Sequence, residues 1–166
     1  MPAERFLITG ALGCLGAWVV HELTREGVDA VTFDAGDDEL RLRYLLSDDE
    51  LAGVTRVRGD VADLAALRSA VIDHEITHVI HLAALQVPFC AADPPRGALV
   101  NVVGTINVFE AVRGTPAAAR PVVYSSSIAA YGSDDDPMSG FPEPSGRPAT
   151  HYGVYKFANE GNARIF

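Results

Sequence analysis

The chain has 166 residues, 48% of them hydrophobic and 21% charged, with 22 acidic against 13 basic side chains and a formal net charge of −9. This describes one globular domain over residues 1–166 and argues against a nucleic-acid partner, because an acidic chain without a basic patch repels a phosphate backbone. No run reaches the ~20 uninterrupted apolar residues of a membrane span, and Cys14 and Cys90 form neither a metal-ligand spacing nor a disulfide framework, so a reducing, cytoplasmic setting is expected.

The chain opens on a strand over residues 4–9, carried by Phe6-Leu7-Ile8. Thr9-Gly10-Ala11-Leu12-Gly13-Cys14-Leu15-Gly16 follows, with glycines at a G-x-x-G-x-x-G spacing, and then a helix over 14–26 closed by Gly27. Gly10 allows the tight turn, Gly13 lets backbone N–H groups approach a pyrophosphate, and Gly16 lets the helix lie close to the sheet. The helix N-terminus adds unpaired donors and a positive dipole end. Cys14 is read as a small packed residue, with a reactive thiol as the alternative. A second strand over 30–34 ends on Asp34, eighteen residues after Gly16. A carboxylate there accepts from ribose hydroxyls and repels a 2′-phosphate, so the expected cofactor is NAD.

Residues 37–50 mix charges with leucines and read as a helix or a partly ordered crossover. A third strand over 54–58 leads to Gly59-Asp60-Val61, and Leu64, Leu67, Ala70 and Val71 mark one face of a helix over 63–74. Residues 77–82 read as a fourth strand around Val79, Ile80 and Leu82, the apolar content that a parallel strand covered on both faces calls for. After Pro94-Pro95 a long helix covers 96–112, a fifth strand covers 121–126, and the pattern is helical again from Thr150. Between them, residues 132–149 are rich in Gly, Ser, Asp and Pro and read as one long surface loop, either an excursion or a lid over the carboxyl edge of the sheet. Strand and helix alternate throughout, which predicts an α/β, Rossmann-like, doubly wound parallel sheet.

The chemistry-bearing stretch is Tyr152-Gly153-Val154-Tyr155-Lys156. Positions i and i+4 share a helix face, so Tyr152 and Lys156 are neighbours, whereas Tyr155 has Asn159 at that spacing. A phenol is a poor base at neutral pH, and a nearby ammonium favours its phenolate. Such a pair can take a proton from a substrate hydroxyl while hydride leaves the same carbon. Ser125-Ser126-Ser127 ends the fifth strand and offers hydroxyls to the substrate oxygen, or merely caps the strand.

These stretches resemble the extended short-chain dehydrogenase/reductase family, in its NAD-dependent sugar epimerase/dehydratase branch. The matches run in order through Thr9–Gly16, Gly59-Asp60-Val61, His81-Leu82-Ala83-Ala84, Asn101–Val108, Ser125–Gly132 and Tyr152–Lys156. The resemblance implies that Gly10, Gly13 and Gly16, with Cys14 and Leu15, hold the pyrophosphate, and that Asp34 holds the adenosine ribose. It places Asp60 and Val61 by the adenine, Leu82, Ala83 and Ala84 along the cofactor channel, and Asn101 as a steadying residue. Ser127 then matches the catalytic Ser/Thr, Tyr152 the base, and Lys156 the group that binds the nicotinamide ribose. His81 is read as a strand-end packing residue.

Dehydratases of this family carry an Asp-Glu pair just after the catalytic Ser/Thr; here Ile128 and Ala129 stand there and transfer no protons. The resemblance therefore implies an epimerase acting on a nucleotide sugar. The alternatives are a dehydrogenase of a free sugar, sugar acid or other hydroxy compound, and a non-catalytic NAD-binding module. Gln86, Pro88 and Phe89 are candidates to face the substrate. The resemblance also implies a homodimer paired through helices near 96–112 and 150–166, and a longer protein whose later strands and substrate lobe are absent from this chain.

Overall fold

The computed structural model describes residues 4–132 and 148–166. They form two compact units, one of Met1–Ala83 with Asn107–Tyr124 and one of Ala84–Ile106 with Ser125–Phe166.

The first unit holds a five-stranded parallel sheet. Its strands are β1 (Arg5–Thr9), β2 (Asp29–Asp34), β3 (Thr55–Arg58), β4 (His78–His81) and β5 (Val123–Tyr124), in the order β3-β2-β1-β4-β5. β1 is central, with Leu7 opposite Val31 and Val79, and Ile8 opposite Thr32 and Ile80. A sheet that grows outward both ways from β1 is the doubly wound, Rossmann-like arrangement, with its switch point between β1 and β4. Helices α1 (Cys14–Arg25), α2 (Leu40–Leu45), α3 (Asp48–Gly53) and α4 (Leu64–Asp73) belong to this unit. Ile8, Ala17, Val20, Leu42 and Leu51 form one buried cluster.

Local chemistry sets the ends of these elements. At the end of α1, Val28 N–H donates to Leu23 O and Gly27 N–H to Thr24 O, with Gly27 at φ +69°. This is the left-handed helix stop that glycine favours. α4 ends the same way on Glu75, at φ +50° without glycine's freedom. The expected crossover over 37–50 resolves into α2 and α3. Ser47 starts α3 by accepting from Glu50 N–H, while the Glu50 carboxylate takes the Ser47 N–H. The fifth strand is shorter than the expected 121–126: only Val123 and Tyr124 pair with β4, and Pro121 has no N–H to give a ladder.

The second unit contains α5 (Val87–Ala92), α6 (Pro94–Ala98), a π-helical turn (Leu99–Val103) and α8 (His151–Ala163); α7 (Gly104–Val112) follows the π-turn and belongs to the first unit from Asn107 onward. The sequence reading missed α5, whose six residues are too few to show a period. The helix expected from 96 begins at Pro94, because Asp93 accepts from Arg96 N–H and prolines suit a first turn. The loop expected over 132–149 lies, for residues 133–147, outside the described residues. No helix among the described residues is long and apolar enough to cross a membrane.

Candidate functional site

In the first unit the glycine turn leaves β1 at the switch point. Gly10 sits at φ +71°, donates its N–H to Phe33 O at 3.0 Å, and accepts from Gly13 N–H at 3.1 Å. A methyl group at Gly10 would lie 2.6 Å from Ala83 N, and one at Gly16 only 2.2 Å from Gly10 O. These two glycines let β4's exit and α1 close on the turn. Gly13 is the N-cap of α1; no side chain caps this helix and its first turn carries no acid. A helix start with open N–H donors and no carboxylate is a fitting seat for a diphosphate.

Cys14 and Leu15 open α1 and are exposed. For Cys14 this corrects the expectation of a packed residue: Gly16, Ala17 and Val20 take the inner face, and position 14 lies roughly 200° around the helix from position 16. Asp34, at the end of β2, is half-buried and clasps two loops. Its Oδ2 accepts from Leu12 N–H at 3.1 Å and its Oδ1 from Gly36 N–H at 3.2 Å. Both contacts aim the carboxylate, and each oxygen keeps a lone pair for a hydroxyl donor. Asp60 Oδ1 accepts from Ala62 N–H at 2.9 Å, and Val61 is buried with its carbonyl on Asn107 Nδ2 at 3.0 Å. Leu82 N–H donates to Thr9 O, and Ala83 N–H to the Thr9 hydroxyl, whose other partner is the buried His81 ring at 2.6 Å.

In the second unit α8 is held by its own sequence. Thr150 accepts from Gly153 N–H at 3.0 Å and starts the helix. A methyl group at Gly153 would lie 2.2 Å from Ala129 O, so this glycine lets α8 rest on the turn Ile128–Ala130. Ser127 stands at the head of that turn, its hydroxyl accepting from Ala129 N–H at 3.2 Å. Tyr155 is buried and donates to Pro94 O at 2.9 Å, an anchoring contact that separates it from Tyr152. Ala84 is half-buried at the start of this unit. Gln86 and Phe89 are exposed.

Tyr152 and Lys156 do share a face: the ammonium lies 5.7 Å from the centre of the Tyr152 ring. Lys156 is 5% exposed, and its Nζ donates to Ser125 O at 2.7 Å and to Ser125 Oγ at 3.3 Å. Burial pushes its pKa down from the ordinary lysine value, with the Cys90 thiol opposing. Burial likewise pushes the Cys90 thiol up, against a hydrogen bond from Asn101. Ser126 donates instead to Glu160, on the next turn of α8. Two of the three serines are thus taken up by α8, and Ser127 alone heads the following turn.

One signal in the sequence marks this site and the periodicity reading passed over it. Lys156 is the only lysine among the 166 residues, the other basic side chains all being arginine. A guanidinium is too broad and too permanently charged for this place, whereas an ammonium is compact and can be desolvated. Ser125 and Asn159, which meet Lys156 and Asn101 respectively, carried no such signal.

Residues 6–164 match the NAD dependent epimerase/dehydratase family. The UDP-glucose 4-epimerase of Mycolicibacterium smegmatis is 34% identical over 168 residues, covering 94% of this chain and 49% of that protein. UDP-glucuronate 4-epimerase 4 of Arabidopsis thaliana is 30% identical over 169 residues, covering 96% of this chain and 37% of that protein. The crystal structure of Thermus thermophilus UDP-glucose 4-epimerase, a complex with NAD, superposes with a TM-score of 0.80 at 26% identity, covering 98% of this chain and 50% of that one. The chain spans half or less of the length of these relatives.

Proposed function

Because this chain belongs to the NAD-dependent epimerase/dehydratase family, we propose that it works on a sugar carbinol with NAD, as part of a nucleotide-sugar epimerase. Gly10, Gly13, Cys14, Leu15 and Gly16 hold the pyrophosphate on the open start of α1, and Asp34 takes the adenosine ribose. Asp60, Val61, Leu82, Ala83 and Ala84 border the cofactor, and Asn101 steadies the second unit. NAD, when bound, supplies the hydride acceptor. Tyr152 receives the proton of the substrate hydroxyl, Lys156 holds positive charge beside it, and Ser127 donates to the substrate oxygen.

The observation that carries this reading is the chain's sole lysine, buried one helical turn from Tyr152 and fixed on the Ser125 carbonyl. A binding module has no need to keep an ammonium out of water at that place. Ile128 and Ala129 follow Ser127 where elimination of water would need an acid and a base, which disfavours a dehydratase. Homodimer formation is part of the proposal, supported by Leu99, Val103, Val154 and Phe157, which leave apolar surface exposed on the π-turn and α8.

The test is to incubate the full-length protein, with the region beyond Phe166 included, with NAD and, separately, UDP-glucose, UDP-glucuronate and free sugars. Inversion at one carbon without net NADH release is the expected result. Stoichiometric NADH release would make the protein a dehydrogenase instead, and no reaction with any of them would remove the sugar reading.

A further inference from the structure

We propose that Asn159 is a positioning residue for Lys156: bonded to the π-turn through its carboxamide, it sets the height and rotation of α8 at which the ammonium meets the Ser125 carbonyl. Asn159 lies three residues beyond Lys156 and is 1% exposed. Its Nδ2 donates to Asn101 O at 2.8 Å and to Thr105 Oγ1 at 3.0 Å. Thr105 Oγ1 donates in turn to Asn101 O at 2.7 Å. The Asn101 side chain is occupied elsewhere, its Oδ1 accepting from Leu85 N–H at 2.7 Å and its Nδ2 donating to Leu85 O at 2.8 Å.

The donor directions leave one solution. Asn101 O lies in the π-turn and accepts from both Asn159 Nδ2 and Thr105 Oγ1, and π-turns of this kind gather at functional sites. A reversed Asn159 amide would press Oδ1 against that carbonyl, so Nδ2 must face it. Asn159 Oδ1 then meets no donor among the described residues, a burial cost that an aliphatic side chain would avoid. What the amide contributes is therefore its other end, the bond to the π-turn. Along α8 this tie sits between the two contacts to the serine loop, Lys156 on Ser125 and Glu160 on Ser126. The inference deepens the proposed function, since it rests on Lys156 belonging to the reacting set.

A single lysine makes the test direct. With 13C,15N-lysine the 166-residue protein gives one side-chain amine signal, and acylation at Lys156 can be followed by mass spectrometry of Arg-cleaved peptides. Asn159→Ala is expected to move the lysine titration upward toward the ordinary range and to raise the acylation rate about tenfold, as a lost buried hydrogen bond makes local opening more frequent. Val20→Ala, in the core of the first unit, is chosen to lower Tm and should leave both readouts as in the wild type. Unchanged readouts in Asn159→Ala, or an equal change in Val20→Ala, overturn the proposal. Should Asn159→Ala fail to fold, Thr105→Val removes one of the two acceptors at nearly constant shape; a smaller shift in the same direction supports the tie, and none overturns it. Neither readout involves a substrate, so an inactive protein with a shifted lysine would count against the catalytic reading while leaving the tie intact.

Discussion

Gly16→Ala isolates the close approach on which the nucleotide end depends. In an open helix, replacing glycine by alanine stabilises by about 1 kcal/mol. At Gly16 the new methyl group would sit 2.2 Å from Gly10 O and 2.6 Å from Ala11 Cα, where ordinary contact begins at 3.4 Å. Both neighbours are backbone atoms of the turn itself, so α1 must lift off it. Overpacking of this kind costs ~1–3 kcal/mol, and with rigid neighbours the upper end applies. The net expectation is a loss of about 2 kcal/mol, or ~4–8 °C in Tm for a chain of this size. Gly161→Ala is the internal control, because it lies in α8 with nothing within 4 Å of the added methyl group. It should gain about 1 kcal/mol. Thermal and urea melts of the three proteins without cofactor decide the matter. If Gly16→Ala melts at or above the wild type while Gly161→Ala behaves as expected, the close packing of α1 on the turn is wrong.

Tyr152→Phe should reduce turnover by about 10²–10⁴-fold, the usual worth of a positioned proton acceptor, while NAD affinity measured by calorimetry stays within ~3-fold. Asp34→Ala strips the acceptor of Leu12 and Gly36 N–H together with the charge that opposes a 2′-phosphate. NAD affinity should fall about tenfold and the preference for NAD over NADP should shrink, as read by competitive titration. The burial of Lys156 has a signed consequence for stability. Its folded-state pKa is lowered, so between that value and the ordinary lysine value the unfolded chain binds more protons and stability rises with pH. Urea melts at pH 7.5 and 10 should show this gain in the wild type and lose it in Lys156→Met; a gain that persists in the variant would contradict it.

Much of this architecture is legible in residue types. Apolar runs bounded by glycine and acid give β1, β2 and β4, and the glycine spacing gives the turn whose crowding at Gly10 and Gly16 the structure displays. The helical period alone pairs Tyr152 with Lys156 and separates Tyr155, which anchors on Pro94. What stayed hidden depends on backbone atoms. The partner of Lys156 is a carbonyl, which any residue at position 125 would offer, so no side chain announces it. The π-turn carries an asparagine whose amide holds both polar groups of Leu85, and a 3.6-residue period is blind to that. Asn159 reads as a surface residue by type and is buried because its donors are spent on the π-turn.

The most direct trial of the account is an NMR titration of NAD into the uniformly 15N-labelled chain, which reports the glycine turn and the single lysine in one experiment. The account predicts that the amides of Gly10, Gly13 and Gly16, the amides around Asp34, and the Lys156 amine signal shift together along one binding curve. A turn that stays unmoved at saturating NAD, or a Lys156 signal that does not respond when the turn does, would contradict it.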